Sequence, residues 1–284
     1  MKTSLEYLSE AKHREILEVV EIIKEVLMPE MIILFGSYAK GKQVNHKYVS
    51  DGVTYEYISD YDFLVVLNDS PEKIYVQENI ILNRTDKLET PVNLEIHSID
   101  YINKGLEIGE YFFTDIIKEG ILLYDTGNVK FAEPRELTSE EKREKAQRYF
   151  DNWFPQGNEF LIDAEHAANR SSLKKAVFEL HQATESLYNT VLLVFTDYKP
   201  KGHNLWKLRR KAKPYSEELF LVFRAETDKQ EEHLFKLLKQ GYIDVRYRDD
   251  FAIAENELQT LTERVKQMQS IVEKGCKDKI AEIK

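Results

Sequence analysis

A single cysteine, Cys276, in 284 residues excludes an internal disulfide framework and fits a reducing cytosol, so the expected compartment is cytoplasmic. No Cys/His cluster suggests structural zinc. No apolar run approaches the roughly 20 residues of a membrane span. The first 27 residues, MKTSLEYLSEAKHREILEVVEIIKEVL, are a charged amphipathic pattern without the uninterrupted apolar core of a secretory leader. Internal repeats and low-complexity segments are lacking too. With 42% hydrophobic and 32% charged residues, the chain reads as a soluble globular protein without a membrane partner, long enough for two ordinary domains.

Charge is spread unevenly. Of the net −10, residues 1–137 carry −11 and residues 138–284 carry +1. An acidic first half repels bare phosphate, so a phosphate substrate there is expected to arrive with divalent cations.

The first half alternates helix and strand. Ile16, Val19, Val20, Ile23 and Val26/Leu27 recur at helical spacing over residues 10–27, and Pro29 stops the pattern. MIILF (31–35) and YDFLVVL (61–67) read as buried strands. Between them, Tyr, Val and Thr flank Ser50-Asp51-Gly52, the signature of a hairpin inserted over about 43–58. Pro71 opens a helical stretch reaching about Leu88. VNLEIHS (92–98) places Val92, Leu94 and Ile96 on one face and Asn93, Glu95 and His97 on the other, which reads as a half-buried strand. A helix through 100–119, a short strand ILLYD (121–125) and a linker holding Pro134 follow. After residue 138 strand signals stop. Helical patterns cover about 138–151, 158–197, 204–212, 216–225, 228–240 and 252–274, with interruptions near Pro155, Pro200 and Pro214. The expected fold is α+β, with an N-terminal mixed sheet and flanking helices (residues 1–130) followed by a C-terminal all-α bundle (138–284).

Two features carry chemistry. LFGSYAKGK (34–42) runs from a strand into a glycine–serine turn; such a turn brings main-chain N–H groups to a phosphate, although many simply end a strand. SDYDFLVVL puts Asp60 and Asp62 two residues apart, so both side chains project from one face. A carboxylate pair of this kind is either solvated at a strand edge or neutralised by cations. Glu95, on the polar face of a later strand, is placed to join the pair. Three carboxylates opposite a Gly-Ser turn would form a two-metal phosphoryl-transfer site.

Gly36-Ser37, then Asp60-x-Asp62, then an acidic residue on a later strand resembles the nucleotidyltransferase superfamily of the polymerase β type, particularly its minimal bacterial members, over roughly residues 10–125. The resemblance implies that Gly36 and Ser37 hold a nucleoside triphosphate such as ATP. It also implies that Asp60 and Asp62 bind two Mg²⁺, and that Glu95 completes the metal site and helps deprotonate the acceptor. Lys42 either adds charge near the triphosphate or faces solvent. The 23 positions from Ser37 to Asp60 are about twice the spacing of the minimal family, and the hairpin accounts for the excess.

FELHQATESLYNTVLLVF (178–195), GHNLWKLRR and GYIDVRYRDDF resemble the HEPN domain, a helical bundle that often accompanies minimal nucleotidyltransferases. RNA-cleaving members carry an arginine followed four to six residues later by histidine, and no histidine here has that arginine. Arg246 and Arg248 are candidates for contacting a nucleotide or polyanion, with ion pairing to nearby acids as the alternative. His181 reads as a core histidine, and Asn204 as a helix N-cap. Lys207, Arg209, Arg210, Lys211 and Lys213 form a basic run, which is either a solvated face or a phosphate or RNA contact. Tyr188, Tyr242 and Tyr247 read as packing residues.

The expected reaction is transfer of NMP from a nucleoside triphosphate to an acceptor hydroxyl with release of pyrophosphate. The alternatives are a non-catalytic nucleotide-binding or interaction module, and a toxin–antitoxin element modifying protein or RNA. Acceptor, preferred base and homodimerisation are left open, and RNA contact has only the basic run behind it.

Overall fold

A computed structural model describes residues 3–50, 52–69, 73–200, 202–243, 245 and 251–284. The chain divides into two units, one comprising Met1–Asn45 and Ile58–Glu136, the other His46–Tyr57 and Leu137–Lys284. The fold is α+β, with a mixed sheet and helices in the first unit and helices dominating the second.

In the first unit, helix α1 (Glu10–Leu27) starts at Ser9, whose side chain accepts from the Lys12 N–H, and stops at Met28 in a left-handed conformation ahead of Pro29. Strand β1 (Met31–Phe35) follows, then the single turn α2 (Gly36–Ala39). Strands β2 (Asn45–Ser50) and β3 (Val53–Ile58) form a separate two-stranded sheet, and β4 (Tyr61–Leu67) is buried at every position. Asp51, of the hairpin turn, and Pro71 lie outside the described residues. Helix α3 spans Ile74–Thr85 and stops short of Leu88. Next come β5 (Val92–Ser98), α4 (Ile99–Glu107), α5 (Tyr111–Glu119) and β6 (Ile121–Asp125).

The four-stranded sheet has the order β5-β4-β1-β6. β1 runs antiparallel to both neighbours, and β4 is parallel to β5. Apolar side chains of α1, β1 and β4 form the core here, including Ile16, Val19, Ile23, Ile32, Leu34, Phe63 and Val65. Two expectations for this region need correction. The helix expected over 100–119 is two helices, because Gly109 adopts φ +76° and breaks the helix between them. The polar face of β5 is covered, since the His97 ring stacks on Tyr101 at 4.8 Å and meets Phe113 edge-on at 5.5 Å.

In the second unit, α6 (Ser139–Asn169) opens on a capping box of Thr138 and Glu141. It is followed by α7 (Leu173–Thr196), α8 (Leu205–Ala212), a 3₁₀ turn (Lys213–Tyr215), α9 (Glu217–Leu221), α10 (Lys229–Gln240) and α11 (Glu255–Glu282). Most of α7 is buried on all sides. The sequence assigns the hairpin to the first domain, yet residues 46–57 group with these helices. Within the second unit the Tyr57 hydroxyl donates to the Lys213 carbonyl at 2.9 Å, Thr227 Oγ1 donates to the Thr54 carbonyl at 2.7 Å, and the Tyr57 ring meets Phe220 edge-on.

Pro155 does not interrupt α6. Phe150, Phe154, Leu161 and Ala164 bury one continuous face across it, and that burial outweighs the one backbone hydrogen bond a proline removes. The break falls instead at Arg170–Ser172, where Ser171 adopts φ +57°. Because Pro155 is exposed, Pro155→Ala should restore the missing bond without disturbing the core. The expected result in urea unfolding is a gain of about 1–3 kcal/mol.

Candidate functional site

Asp60 immediately precedes β4 and Asp62 is its second residue, two positions on, and both side chains turn to the side where Asn93 lies. Both are buried, at 6% and 8% exposure. The antiparallel register sets Phe35 opposite Asp62, so the chain entering the glycine–serine turn passes directly beside that carboxylate. Gly36 adopts φ +72°, and a Cβ built on it would stand 2.4 Å from Asp62 Oδ2. The structure therefore brings Gly36 and Asp62 together, and a bare backbone is a steric requirement there. Ser37 is partly buried in the same turn, its carbonyl accepting from the Lys42 N–H at 2.9 Å. The Lys42 residue is exposed.

The start of β4 is fixed from the α1 side. The Tyr61 hydroxyl donates to Glu15 at 2.7 Å, and Lys12 binds both Glu15 (3.0 Å) and Thr90 (2.9 Å). Burial, and then the bond to the Glu15 carboxylate, push the Tyr61 phenol far above its ordinary range, so it remains a donor.

The parallel register of β4 with β5 pairs Asp62 with Asn93 and Leu64 with Glu95. Asn93, which the sequence reading did not single out as a site residue, lies between the carboxylates. Its Nδ2 donates to Asp60 Oδ2 at 2.9 Å and to Asp62 Oδ1 at 3.0 Å. The strand register is the signal that identifies it, and register is not written in a single strand's alternation. Glu95 lies two residues further along the same face, buried, with an oxygen 3.3 Å from His97 Nε2. Among the described residues, no three Asp, Glu, His or Cys side chains are grouped to hold a metal ion. The carboxylate pair by itself suits a hard divalent cation, which takes oxygen ligands, and the glycine leaves room beside Asp62.

The second unit holds a different polar cluster. His181 is fully buried, with Nδ1 3.0 Å from the Leu238 carbonyl, in keeping with a core histidine. Its Nε2 lies 3.7 Å from Glu185, whose two oxygens are each 2.9 Å from His203 Nδ1. Tyr242 stacks on both imidazoles. Burial raises the Glu185 carboxyl, but the two imidazoles outweigh it and hold the group below its ordinary value. Asn204 caps α8, its side chain accepting from the Trp206 N–H.

The basic run differs from its sequence reading. Arg209 is fully buried, donating to the carbonyls of Phe220 and Phe223 and to both oxygens of Glu226. Lys213 is buried too, its ammonium over the rings of Tyr57 and Phe220. Arg246, Tyr247 and Arg248 lie outside the described residues. Among the described residues, no helix is long and apolar enough to cross a membrane.

Residues 150–278 match the family model of the HEPN domain, in agreement with the resemblance drawn from residues 178–195 and the segments after them. The match does not extend over the mixed-sheet unit. No curated protein matches the chain.

Two outcomes follow from these geometries. Gly36→Ala places a side chain at positive φ and against Asp62, and should cost about 1–3 kcal/mol in urea unfolding. For Glu185, the folded pKa is depressed, so its contribution is complete above the unfolded value of 4.5 and is lost as pH falls through the folded value. The stability advantage of wild type over Glu185→Gln should therefore shrink as acid unfolding is followed downward from about pH 5.

Proposed function

We propose that the chain is a nucleotidyltransferase that moves NMP from a nucleoside triphosphate to an acceptor hydroxyl. The observation that carries this reading is the juxtaposition of two buried carboxylates, Asp60 and Asp62, with the bare backbone of Gly36. A buried like-charge pair has a stable state at neutral pH when a cation joins it, and a triphosphate beside it supplies further oxygen ligands to that cation.

In this reading Gly36 and Ser37 receive the β and γ phosphates, and Lys42 adds positive charge at the edge of the turn. Asp60 and Asp62 hold Mg²⁺, which when bound supplies Lewis-acid stabilisation of charge on the phosphates. Glu95, held by His97, takes the proton of the acceptor hydroxyl. The acceptor oxygen forms its bond to the α-phosphorus in line with the bond that breaks, and pyrophosphate leaves. Glu95 is buried, with the rings of Tyr101 and Phe113 against its partner His97, and a carboxylate held in place favours proton transfer to itself over transfer to solvent.

Mg²⁺ and a nucleoside triphosphate together should raise the melting temperature more than either alone, and Asp62→Asn should abolish the joint effect. Pyrophosphate release with a mixed pool of alcohols, aminoglycosides, RNA ends and protein hydroxyls should fall on the order of 10²-fold or more in Glu95→Gln. Joint stabilisation without turnover across that pool would favour a nucleotide-sensing module. No shift with ATP, GTP, CTP or UTP would remove the reading altogether.

A further inference from the structure

We infer that the third position of the cation site belongs to Asn93 and not to Glu95, so that the resting site is a carboxylate pair latched by a neutral amide. The inference rests on the proposed function only in taking Asp60 and Asp62 as the place where a divalent cation binds.

The register carries the argument. In a parallel pair, residues opposite one another point to the same face, and Asn93 is the residue opposite Asp62. Its amide spends two donors on one oxygen of each carboxylate, which are oxygens a cation shared by the two would take. Glu95 is opposite Leu64, one strand repeat further on, and the described side chains contain no cluster of three metal-ligating groups. Asn93 thus occupies the gap in which a third carboxylate would complete a two-ion site.

Charge decides the consequence. Two carboxylates offset one divalent ion, whereas three are needed before a second ion is well neutralised by the protein alone. A neutral amide at this position supplies an oxygen without adding the negative charge that a third carboxylate would bring. A lone cation must also displace two hydrogen bonds to ionised groups, which are stronger than neutral ones. The protein alone therefore binds one divalent cation weakly, and a second ion would depend on the charge that a triphosphate brings. The amide also offsets repulsion between Asp60 and Asp62 when no cation is present, which a carboxylate there would aggravate.

The test is Mn²⁺ binding to the full chain, followed by the EPR signal of the free ion without nucleotide, for wild type, Asn93→Asp, Asn93→Ala, Glu95→Gln and Asp62→Asn. Asn93→Asp should tighten binding by about tenfold or more, because affinity follows ligand charge count. Glu95→Gln should stay within about twofold of wild type, and Asp62→Asn should lose the site. Asn93→Ala, measured without metal, should melt below wild type because the carboxylates lose their shared donor. This arm, with Glu95→Gln, decides the matter if Asn93→Asp does not fold. Loss of Mn²⁺ in Glu95→Gln comparable to that in Asp62→Asn overturns the inference, as does an Asn93→Asp protein that folds and gains nothing. Either result leaves the nucleotidyltransferase reading standing so long as wild-type binding is sensitive to Asp62→Asn. Silence of wild type and Asn93→Asp alike sinks both.

Discussion

Two residues apart on an extended chain, Asp60 and Asp62 have α-carbons about 6.7 Å apart, and their carboxylates come close enough for one Asn93 nitrogen to donate to both. At an effective dielectric constant near 20 their repulsion is about 2–3 kcal/mol. The chain cannot relieve that by turning the pair outward, since β4 is an interior strand buried at every position, Asp62 among them, and Asp60 just before it is buried too. Much of the surrounding structure answers this constraint. Asn93 shares its amide between the two groups, the Glu15–Tyr61–Lys12 network fixes the strand where the pair begins, and Gly36 keeps a side chain off Asp62. A strand built only for stability would put apolar residues at these two positions. The polar arrangement is intelligible as one that a ligand completes.

The glycine shows how fold and chemistry are joined. Antiparallel pairing of β1 with β4 sets Phe35 against Asp62, and the next residue must turn immediately into a short helix. Any Cβ there collides with the carboxylate, and the positive φ disfavours one in any case. The feature that makes the turn suited to phosphate, an uncovered main chain, is thus imposed by the carboxylate beside it. The bare turn and the buried carboxylate are two sides of one packing requirement.

Elements governed by local pattern were legible in the sequence. The strands at 31–35, 61–67, 92–98 and 121–125 and the helix at 10–27 depend on apolar periodicity and on Pro29, all of which are local. The errors arise where tertiary packing overrides the local signal. Pro155 is a helix breaker by propensity, but the buried face of α6 runs straight through it. Ser171 carries no comparable warning and yet takes the left-handed turn that ends the helix. At the site, Asp60, Asp62 and Gly36 were legible because carboxylate spacing and a glycine after a strand are local signs. Asn93 was not, because its role follows from which residue of β5 lies opposite Asp62, and one residue of slip would have exchanged its face.

The basic run of α8 makes the same point from the electrostatic side. Read along the chain, Lys207, Arg209, Arg210, Lys211 and Lys213 appear as five cations available to a polyanion. In the fold, α8 buries Leu205, Leu208, Arg209 and Ala212 on one face. Arg209 lies on that face because its guanidinium finds two carbonyls and the Glu226 carboxylate inside, with the Phe220 ring against it. An arginine so bonded contributes packing and hydrogen bonds to the bundle, not surface potential, since its charge is offset at contact distance by Glu226. Lys213 is likewise drawn in over two aromatic rings. The run therefore cannot present five cations at once to RNA. Counterion release scales with the number of phosphates contacted, so this helix is a far weaker polyanion surface than its sequence suggests, and the acidic carboxylate site of the mixed-sheet unit is the stronger place to look for phosphate chemistry.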